Sequence, residues 1–192
     1  LNDDEAKLWL EEATEVMYTA FNRSNFQQEI FELYHDLITF GTAAMFVEED
    51  EEDLIKFSTR HIDEVYVAEN EKGKIDTIFR KFHMTSRALV QKFGNNVSQD
   101  IQTSVKKNPY EEIQIIHAVY PRNEFNPKKK DKANMPFESV YFEYKNGNEL
   151  SVSGFKEFPF VVPRYLKASH EVYGRSPAMT ALPDVKMLNE MS

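Results

Sequence analysis

Residues 173–177 read Tyr-Gly-Arg-Ser-Pro, and this stretch predicts a sharp change from strand to helix late in the chain. Gly174 can adopt a positive φ without steric cost, so an arriving strand can turn there. Ser176 offers an N-cap oxygen, and Pro177 fits the first helical position because its missing N–H has no intrahelical partner there. We therefore predict a turn at Gly174 followed by a capped helix.

The predicted helix carries apolar residues at roughly helical spacing, at Leu182, Val185 and Leu188, while Pro183 marks a kink because it cannot donate inside a helix. We expect these apolar side chains to be under-buried. The chain starts at Leu1 without methionine and stops inside this helix, so we expect it to be an internal piece of a longer protein.

Composition places the 192 residues among globular proteins, since 41% are hydrophobic and 13% aromatic. The sequence has no cysteine, which excludes a disulfide framework and thiolate metal sites. No apolar run approaches the roughly 20 residues of a membrane helix. The net charge of −9 argues against general nucleic-acid binding, because phosphates would be repelled.

The N-terminal part predicts two amphipathic helices. The first begins at a capping box of Asn2 and Glu5, and its apolar residues recur on one face. The second begins near the predicted N-cap Asn25 and ends at Gly41, which suits a left-handed C′ position. Because the link at 22–24 is short, we expect the two helices to pack antiparallel.

Strand signals follow, interrupted by the acidic run at 48–53, which we place in a solvated hairpin loop. The segment 113–120 is apolar on both faces and is expected to be a central strand. Asn146-Gly147 is a strong hairpin signal, and prolines in the last strand indicate an edge or an irregular ladder. The predicted strands are 42–47, a meander of 54–58, 65–68 and 75–82, then 113–120, 137–144, 150–155 and 158–165.

Two short helices, capped by Thr85 and Ser98, are expected to lie on the surface. The predicted fold class is therefore α+β. It has an N-terminal helical hairpin packed on a largely antiparallel sheet, short inserted helices and a C-terminal helix leading out of the domain.

Candidate chemical groups are few. The acidic run could contact a divalent cation but lacks the spacing of a calcium loop. No histidine pair has the i, i+4 spacing of a helical zinc site, and His117 reads as a half-buried, hydrogen-bonded residue. Phosphate-loop and nucleophile-elbow motifs are absent. One alternative function remains open, a metal-dependent hydrolase or nuclease in which residues 48–53 converge with His61 or His83.

Basic residues suggest two further contacts. Arg175 can form a bidentate bond to a carboxylate within the subunit or on a neighbour, or it can simply cover Tyr173. A lysine cluster lies in a proline-bounded loop that is expected to be exposed and mobile. The cluster could be a solvated loop or a contact between subunits. Alternatively, it could contact DNA or a partner. Its members are Lys128, Lys129, Lys130 and Lys132.

Six blocks of the sequence, in order, resemble the head-to-tail connector (portal) protein family of short-tailed, podovirus-type bacteriophages. The resemblance extends over nearly the whole chain and is specific because the blocks follow the family's order, and the chain resembles mainly the wing region. The blocks are HDLITFGTAAMFVEED (35–50), EVYVAENEKGKIDTIFRKFHMTSRALVQKFG (64–94), HAVYPR (117–122), MPFESVYFEY (135–144), FPFVVPRYLKAS (158–169) and EVYGRSPAMTALPDVKMLN (171–189).

The resemblance implies a wing-like α+β domain at 1–172 and, at 173–192, a turn and helix leading toward the stem. It implies a structural protein of the virion, made in the host cytoplasm, without catalysis, cofactor or membrane contact. About a dozen copies would form a ring at a capsid vertex, contacting capsid protein, terminase, tail adaptor proteins and passing DNA. Tyr173, Gly174, Arg175 and Ser176 are then candidate subunit-contact or structural residues. A second alternative function is a tail adaptor that binds a portal.

Overall fold

The computed structural model of the chain describes residues 4–129 and 131–191, which form two compact units. Unit 1 comprises Leu1–Ile62 and Pro159–Ser192, and unit 2 comprises Asp63–Phe158. Helices and antiparallel sheets are both present, so the predicted α+β class is confirmed. Asn2 of the predicted capping box and Lys130 of the lysine cluster lie outside the described residues.

The described residues of unit 1 form three α-helices, α1 (Asp4–Arg23), α2 (Phe26–Phe40) and α5 (Pro177–Met191). The predicted end of the second helix is confirmed, since Gly41 has φ of 78° and donates its N–H to Leu37 O at 2.9 Å. Left-handed φ is cheap only for glycine, so Gly41 ends α2 there.

A three-stranded antiparallel sheet completes unit 1, in the order β2-β1-β8. Its strands are β1 (Ala44–Asp50), β2 (Leu54–Arg60) and β8 (Phe160–Val161). The edge position predicted for the last strand is confirmed, but only two of its residues form a strand. Pro159 and Pro163 explain this, because neither can donate a ladder hydrogen bond, although both accept one from the backbone of the β1 segment.

The acidic run is only partly a loop, which corrects the sequence prediction. Glu48, Glu49 and Asp50 are the last three residues of β1, and the turn contains only the final three acids. Glu48 lies opposite Lys56 on β2, and this end of the ribbon is solvent-accessible. Carboxylates can therefore extend the strand without being desolvated.

The core of unit 1 forms between α2 and the sheet. Leu33, Ala43, Met45 and Phe57 are buried together, with partly buried apolar neighbours from both elements. Asn25 contributes differently from the prediction: it occupies the N-cap position but makes no capping bond. Its side-chain amide instead donates to Phe57 O at 2.8 Å and accepts from Phe57 N at 3.0 Å, which ties the start of α2 to β2.

Unit 2 is built on a five-stranded antiparallel sheet in the order β3-β4-β5-β6-β7. The central position predicted for 113–120 is confirmed by β5, and the hairpin predicted at Asn146-Gly147 is confirmed by β6 and β7. The predicted meander is wrong, because its first strand belongs to the sheet of unit 1. The strands are β3 (Val65–Glu69), β4 (Ile75–Thr85), β5 (Glu112–Pro121), β6 (Phe137–Glu143) and β7 (Glu149–Phe155).

One face of this sheet is covered by α3 (Ser86–Phe93) and α4 (Gln99–Lys107). Both helices were expected on the surface, which is wrong, because Leu89 and Ile101 are buried with Phe82 and Ile115 in the main core of the unit. The N-cap prediction for α3 is confirmed, since Thr85 Oγ1 accepts from Ala88 N. Both helices are short and amphipathic, so each buries one apolar stripe against the sheet.

Ser98 occupies the N-cap position of α4 but does not cap it with its side chain, contrary to the prediction. Its hydroxyl and its N–H both donate, at 2.8 Å, to the Glu143 carboxylate. Asn146 and Asn148 donate to the same carboxylate, which is 3% exposed. Burial by itself raises the pKa of Glu143, but these donated hydrogen bonds outweigh burial and leave that pKa below its ordinary value.

Candidate functional site

The junction that begins at Tyr173 lies directly against the end of α2. An added Cβ on Gly174 would collide with Gly41 O, and one on Gly41 would lie 2.5 Å from the Arg175 carbonyl carbon. Gly174 is not among the residues with positive φ, so the predicted left-handed turn there is wrong. Glycine is required at 174 for close backbone approach instead.

Hydrogen bonds fix this approach. Gly174 N donates to Thr42 Oγ1 at 2.7 Å, and Thr42 is buried. Tyr165 N donates to Gly41 O at 2.9 Å, while Arg175 N donates to Leu166 O at 2.7 Å. The segment that enters α5 is therefore held by backbone polar groups on both sides.

Ser176 caps α5 as predicted, because its Oγ accepts from Met179 N at 2.9 Å and Pro177 is the first helical residue. The same hydroxyl donates to Thr39 O at 2.8 Å, near the end of α2. Ser176 is 2% exposed, so both bonds are shielded from water. One side chain thus joins the start of α5 to the last turn of α2.

Arg175 points away from this buried contact and forms a bidentate ion pair with Glu171. Its Nη2 lies 2.6 Å from Glu171 Oε1 and its Nε lies 3.0 Å from Oε2. The hydrogen bonds from Arg175 hold the pKa of Glu171 below its ordinary value. The sequence allowed Arg175 to bind a carboxylate within the subunit or on a neighbour, or to cover Tyr173, and the structure shows the first of these. Tyr173 beside it is partly exposed.

The apolar side chains of α5 are exposed, as predicted: Leu182 and Val185 are each 49% accessible and Leu188 is 63% accessible. No described residue of α5 is buried, although most of its side chains are apolar. A helix that is apolar on all sides normally lies inside a protein or an assembly. The exposure of α5 therefore identifies a surface suited to contact with other protein.

Helix α1 of the same unit is equally open. Its apolar residues recur on one face as predicted, but none is buried. Trp9 and Val16 are 66% and 68% exposed, whereas Phe21 near the C-terminal end stacks on Phe26. The rest of unit 1 therefore leaves this face largely uncovered. We call the exposed face the α1 stripe, consisting of Ala6, Trp9, Leu10, Ala13, Val16 and Met17.

In unit 2, the sheet face opposite α3 and α4 is a second apolar surface. One cross-strand row runs over all five strands and contains only apolar side chains. Phe79 in this row also stacks on Tyr120, with ring centroids 6.5 Å apart. We call this surface the open sheet face; its central row is Tyr66, Phe79, Ala118, Val140 and Val152.

Charge is divided unevenly between the units. Unit 1 carries 18 acidic and 8 basic residues, a net charge of −10, whereas unit 2 carries 14 acidic and 15 basic residues, a net charge of +1. In unit 2, Lys128, Lys129 and Lys132 are exposed in the loop between β5 and β6. The two units therefore present different electrostatic surfaces to partners.

The metal-dependent hydrolase alternative gains no support from the described residues. They contain no group of three or more histidines and acids that could hold a metal ion. Asp50 Oδ1 accepts from the N–H groups of Asp53 and Glu52, which hold the pKa of Asp50 below its ordinary value and close the turn. His117 is buried, with Nε2 2.9 Å from Ser139 Oγ, which confirms its hydrogen-bonded role.

Comparison with known proteins agrees with the resemblance. The sequence model of the family described as bacteriophage head to tail connecting protein matches residues 1–192. The portal protein of Salmonella phage epsilon15 is 39% identical over 187 residues, which is 95% of this chain and 34% of the relative. The probable portal protein of Bordetella phage BPP-1 is 33% identical over 186 residues, again 95% of this chain and 34% of the relative.

The chain thus spans about a third of the length of these relatives. In the residues described, no helix is long and apolar enough to cross a membrane. Because the family match extends over residues 1–192 and both relatives exceed 30% identity, the chain belongs to the bacteriophage head-to-tail connecting protein family.

Proposed function

We propose that this chain is part of a phage portal subunit, and that about a dozen copies of the complete protein form a ring at one vertex of the capsid. The family match over the whole chain is the observation that carries this proposal. Genomic DNA enters through the ring during packaging and leaves through it at ejection. The terminase docks on the ring first, and tail adaptor proteins attach later.

The exposed apolar surfaces support assembly. Monomeric soluble proteins rarely expose large contiguous apolar patches, yet α1, α2 and α5 of unit 1 all present large apolar side chains to solvent. Examples are Trp9 on α1, Phe31 on α2 and Leu188 on α5. A ring subunit would bury such residues against its neighbours.

The proposed role is structural and involves no covalent chemistry or cofactor by this chain. Residues 1–172 would form the wing-like domain, and residues 173–192 would lead toward the stem. Tyr173, Gly174, Arg175 and Ser176 would hold the two parts in register. The bonds from Gly174 to Thr42 and from Ser176 to Thr39 support that role, because they tie the junction to α2.

DNA that passes through the ring would be bound only weakly by this part of the subunit. The net charge of −9 favours weak interaction with phosphates, so a duplex could slide. The loop that carries Lys128, Lys129, Lys130 and Lys132 is the exception and would contact DNA or a partner protein. The exposure of Lys128, Lys129 and Lys132 supports access to either.

The subunit would be synthesised in the bacterial cytoplasm and then built into the virion beside capsid protein. Immunoelectron microscopy of mature particles tests this, with an antibody raised against residues 1–192. We expect label at a single vertex per particle, at the head-to-tail junction. Label spread over the shell, or confined to the distal end of the tail, would contradict the proposal.

A further inference from the structure

The α1 stripe requires a partner. The helix has 20 residues and spans about 30 Å, yet buries no residue, and helices in proteins gain most of their stability from packing an amphipathic face. Trp9 and Val16 lie on this stripe more than half exposed. A surface that covers them must be apolar, and must tolerate the five carboxylates that α1 also carries.

The open sheet face of unit 2 offers an exposed apolar row on which a helix can lie. Its central row crosses five strands, about 19 Å at the usual strand spacing. Tyr66, Phe79 and Val152 stand at the two sides of the row, 55%, 42% and 44% exposed, while the small Ala118 occupies the centre. A helix stripe on a sheet face is a common packing of protein layers.

Electrostatics decide which surface meets α1. Two α1 helices packed on each other would bring ten carboxylates together against four basic groups, within subunit regions of net charge −10. The rows that flank the centre of the open sheet face carry Lys81, Glu138 and Glu149, and Arg122 is paired to Glu138 at 3.5 Å, so the charges of these four side chains sum to zero. Like charges that face each other weaken a contact, whereas a neutral apolar face does not repel α1.

We propose that the α1 stripe of one copy packs on the open sheet face of the next copy. Such a contact joins two different surfaces, so it is head-to-tail and can repeat around a closed ring. The inference rests on the proposed ring and adds the identity of the two surfaces. Because the two surfaces differ, each copy donates a helix to one neighbour and accepts a helix from the other.

The absence of native cysteine in the chain allows a direct test by cross-linking. Val16→Cys is placed on α1 and Val152→Cys on β7, in separate preparations of the full-length protein, with any cysteine outside residues 1–192 replaced by serine. The two preparations are mixed, assembled and treated with a short bis-maleimide. We expect dimers that contain one chain of each kind, and a ladder of larger species when both cysteines are on one chain.

The matched control replaces Val152→Cys with Lys106→Cys, which is exposed on α4 on the opposite side of the sheet. No mixed dimer is expected from this pair. Mixed dimers that form equally well with the control, or Val16→Cys dimers without a partner preparation, would overturn the inference.

Ring formation is scored in the same samples by electron microscopy. Rings without the Val16–Val152 cross-link overturn only the assigned surfaces, whereas a failure to form rings overturns the proposed function. As a second measure, Val152→Asp buries an unpaired charge and should lower the fraction of subunits in rings about tenfold or more, with Lys106→Asp unchanged. Equal ring fractions for the two variants would contradict the assignment.

Discussion

Gly41 and Gly174 lie backbone against backbone, so close that neither position has room for a Cβ atom. Gly41 ends α2, and Gly174 belongs to the segment that enters α5, 133 residues further along the chain. This contact fixes the point where the C-terminal helix leaves unit 1. Its position is set by two glycines rather than by a large buried side chain.

Gly174→Ala and Gly41→Ala should each destabilise the protein by about 2–4 kcal/mol, because the new methyl group must displace backbone. Gly147→Ala is the matched control: Gly147 shares the positive φ of Gly41, but nothing lies within 4 Å of its added Cβ. It should cost only about 1–2 kcal/mol, the strain of a left-handed residue. Urea unfolding measures all three, and similar losses for Gly174→Ala and Gly147→Ala would contradict the proposed role of backbone approach.

Ser176→Ala should lower stability by about 1–2 kcal/mol, since it removes the N-cap of α5 and the bond to Thr39 O. The loss should be local, so amide hydrogen exchange at Met179 should accelerate more than exchange in β5. Thr103→Ala, at an exposed position within α4, is the control and should leave Met179 unchanged. Unaltered exchange at Met179 in Ser176→Ala would show that the cap does not hold the helix.

Glu143→Gln should destabilise unit 2 by about 1–3 kcal/mol, because an amide NH₂ cannot accept the hydrogen bonds that the lost carboxylate oxygen accepts. The side chain is buried, so water cannot replace these bonds. Glu124→Gln, at an exposed loop position, is the control and should be nearly neutral. Thermal unfolding of both variants measures these changes. Equal stability of Glu143→Gln and Glu124→Gln would contradict the prediction.

Acid should weaken the protein through the same residue. The pKa of Glu143 is lower in the folded chain than the ordinary 4.5, so its contribution is complete above that value and is lost as pH falls through the folded pKa. The stability difference between the wild-type protein and Glu143→Gln should therefore be constant near neutral pH and shrink below about pH 4.5. A difference that stays constant down to the folded pKa would contradict this linkage.

Arg175→Ala should reduce ring assembly and particle yield of the full-length protein, because the fork held by Glu171 presents an ordered cationic group beside the junction. Since the pair is on the surface, unfolding of the monomer should change little. Glu171→Ala separates the charge of Arg175 from the orientation of its guanidinium group, because it leaves the charge in place but removes the carboxylate that orients it. Assembly that is unchanged in Arg175→Ala would remove the role assigned to Arg175.

Local signals in the sequence predicted the elements well where a residue acts on its own neighbours. Ser176 caps the helix three residues ahead, Gly41 ends α2 by its own φ, and Asn146-Gly147 forms its own hairpin. Such interactions are contained within a few residues, so composition and spacing are sufficient to identify them.

Side chains that bond far along the chain were predicted wrongly. Asn25 and Ser98 have the composition of N-caps, but Phe57 and Glu143 compete successfully for their polar atoms. The division of the strands between two sheets has the same origin, because pairing depends on distant partners. The exposure of α1 could not be read from periodicity, which shows that a helix has an apolar face but not whether the chain covers it.

The measurement that tests the central claim most directly is electron microscopy of the purified full-length protein over a range of salt concentrations, with particle mass determined in parallel. A portal subunit should form closed rings of about a dozen copies with a central channel. Salt should change the yield of rings more than their symmetry, because the net charge of −9 is screened. Monomers alone under every salt condition would contradict the account.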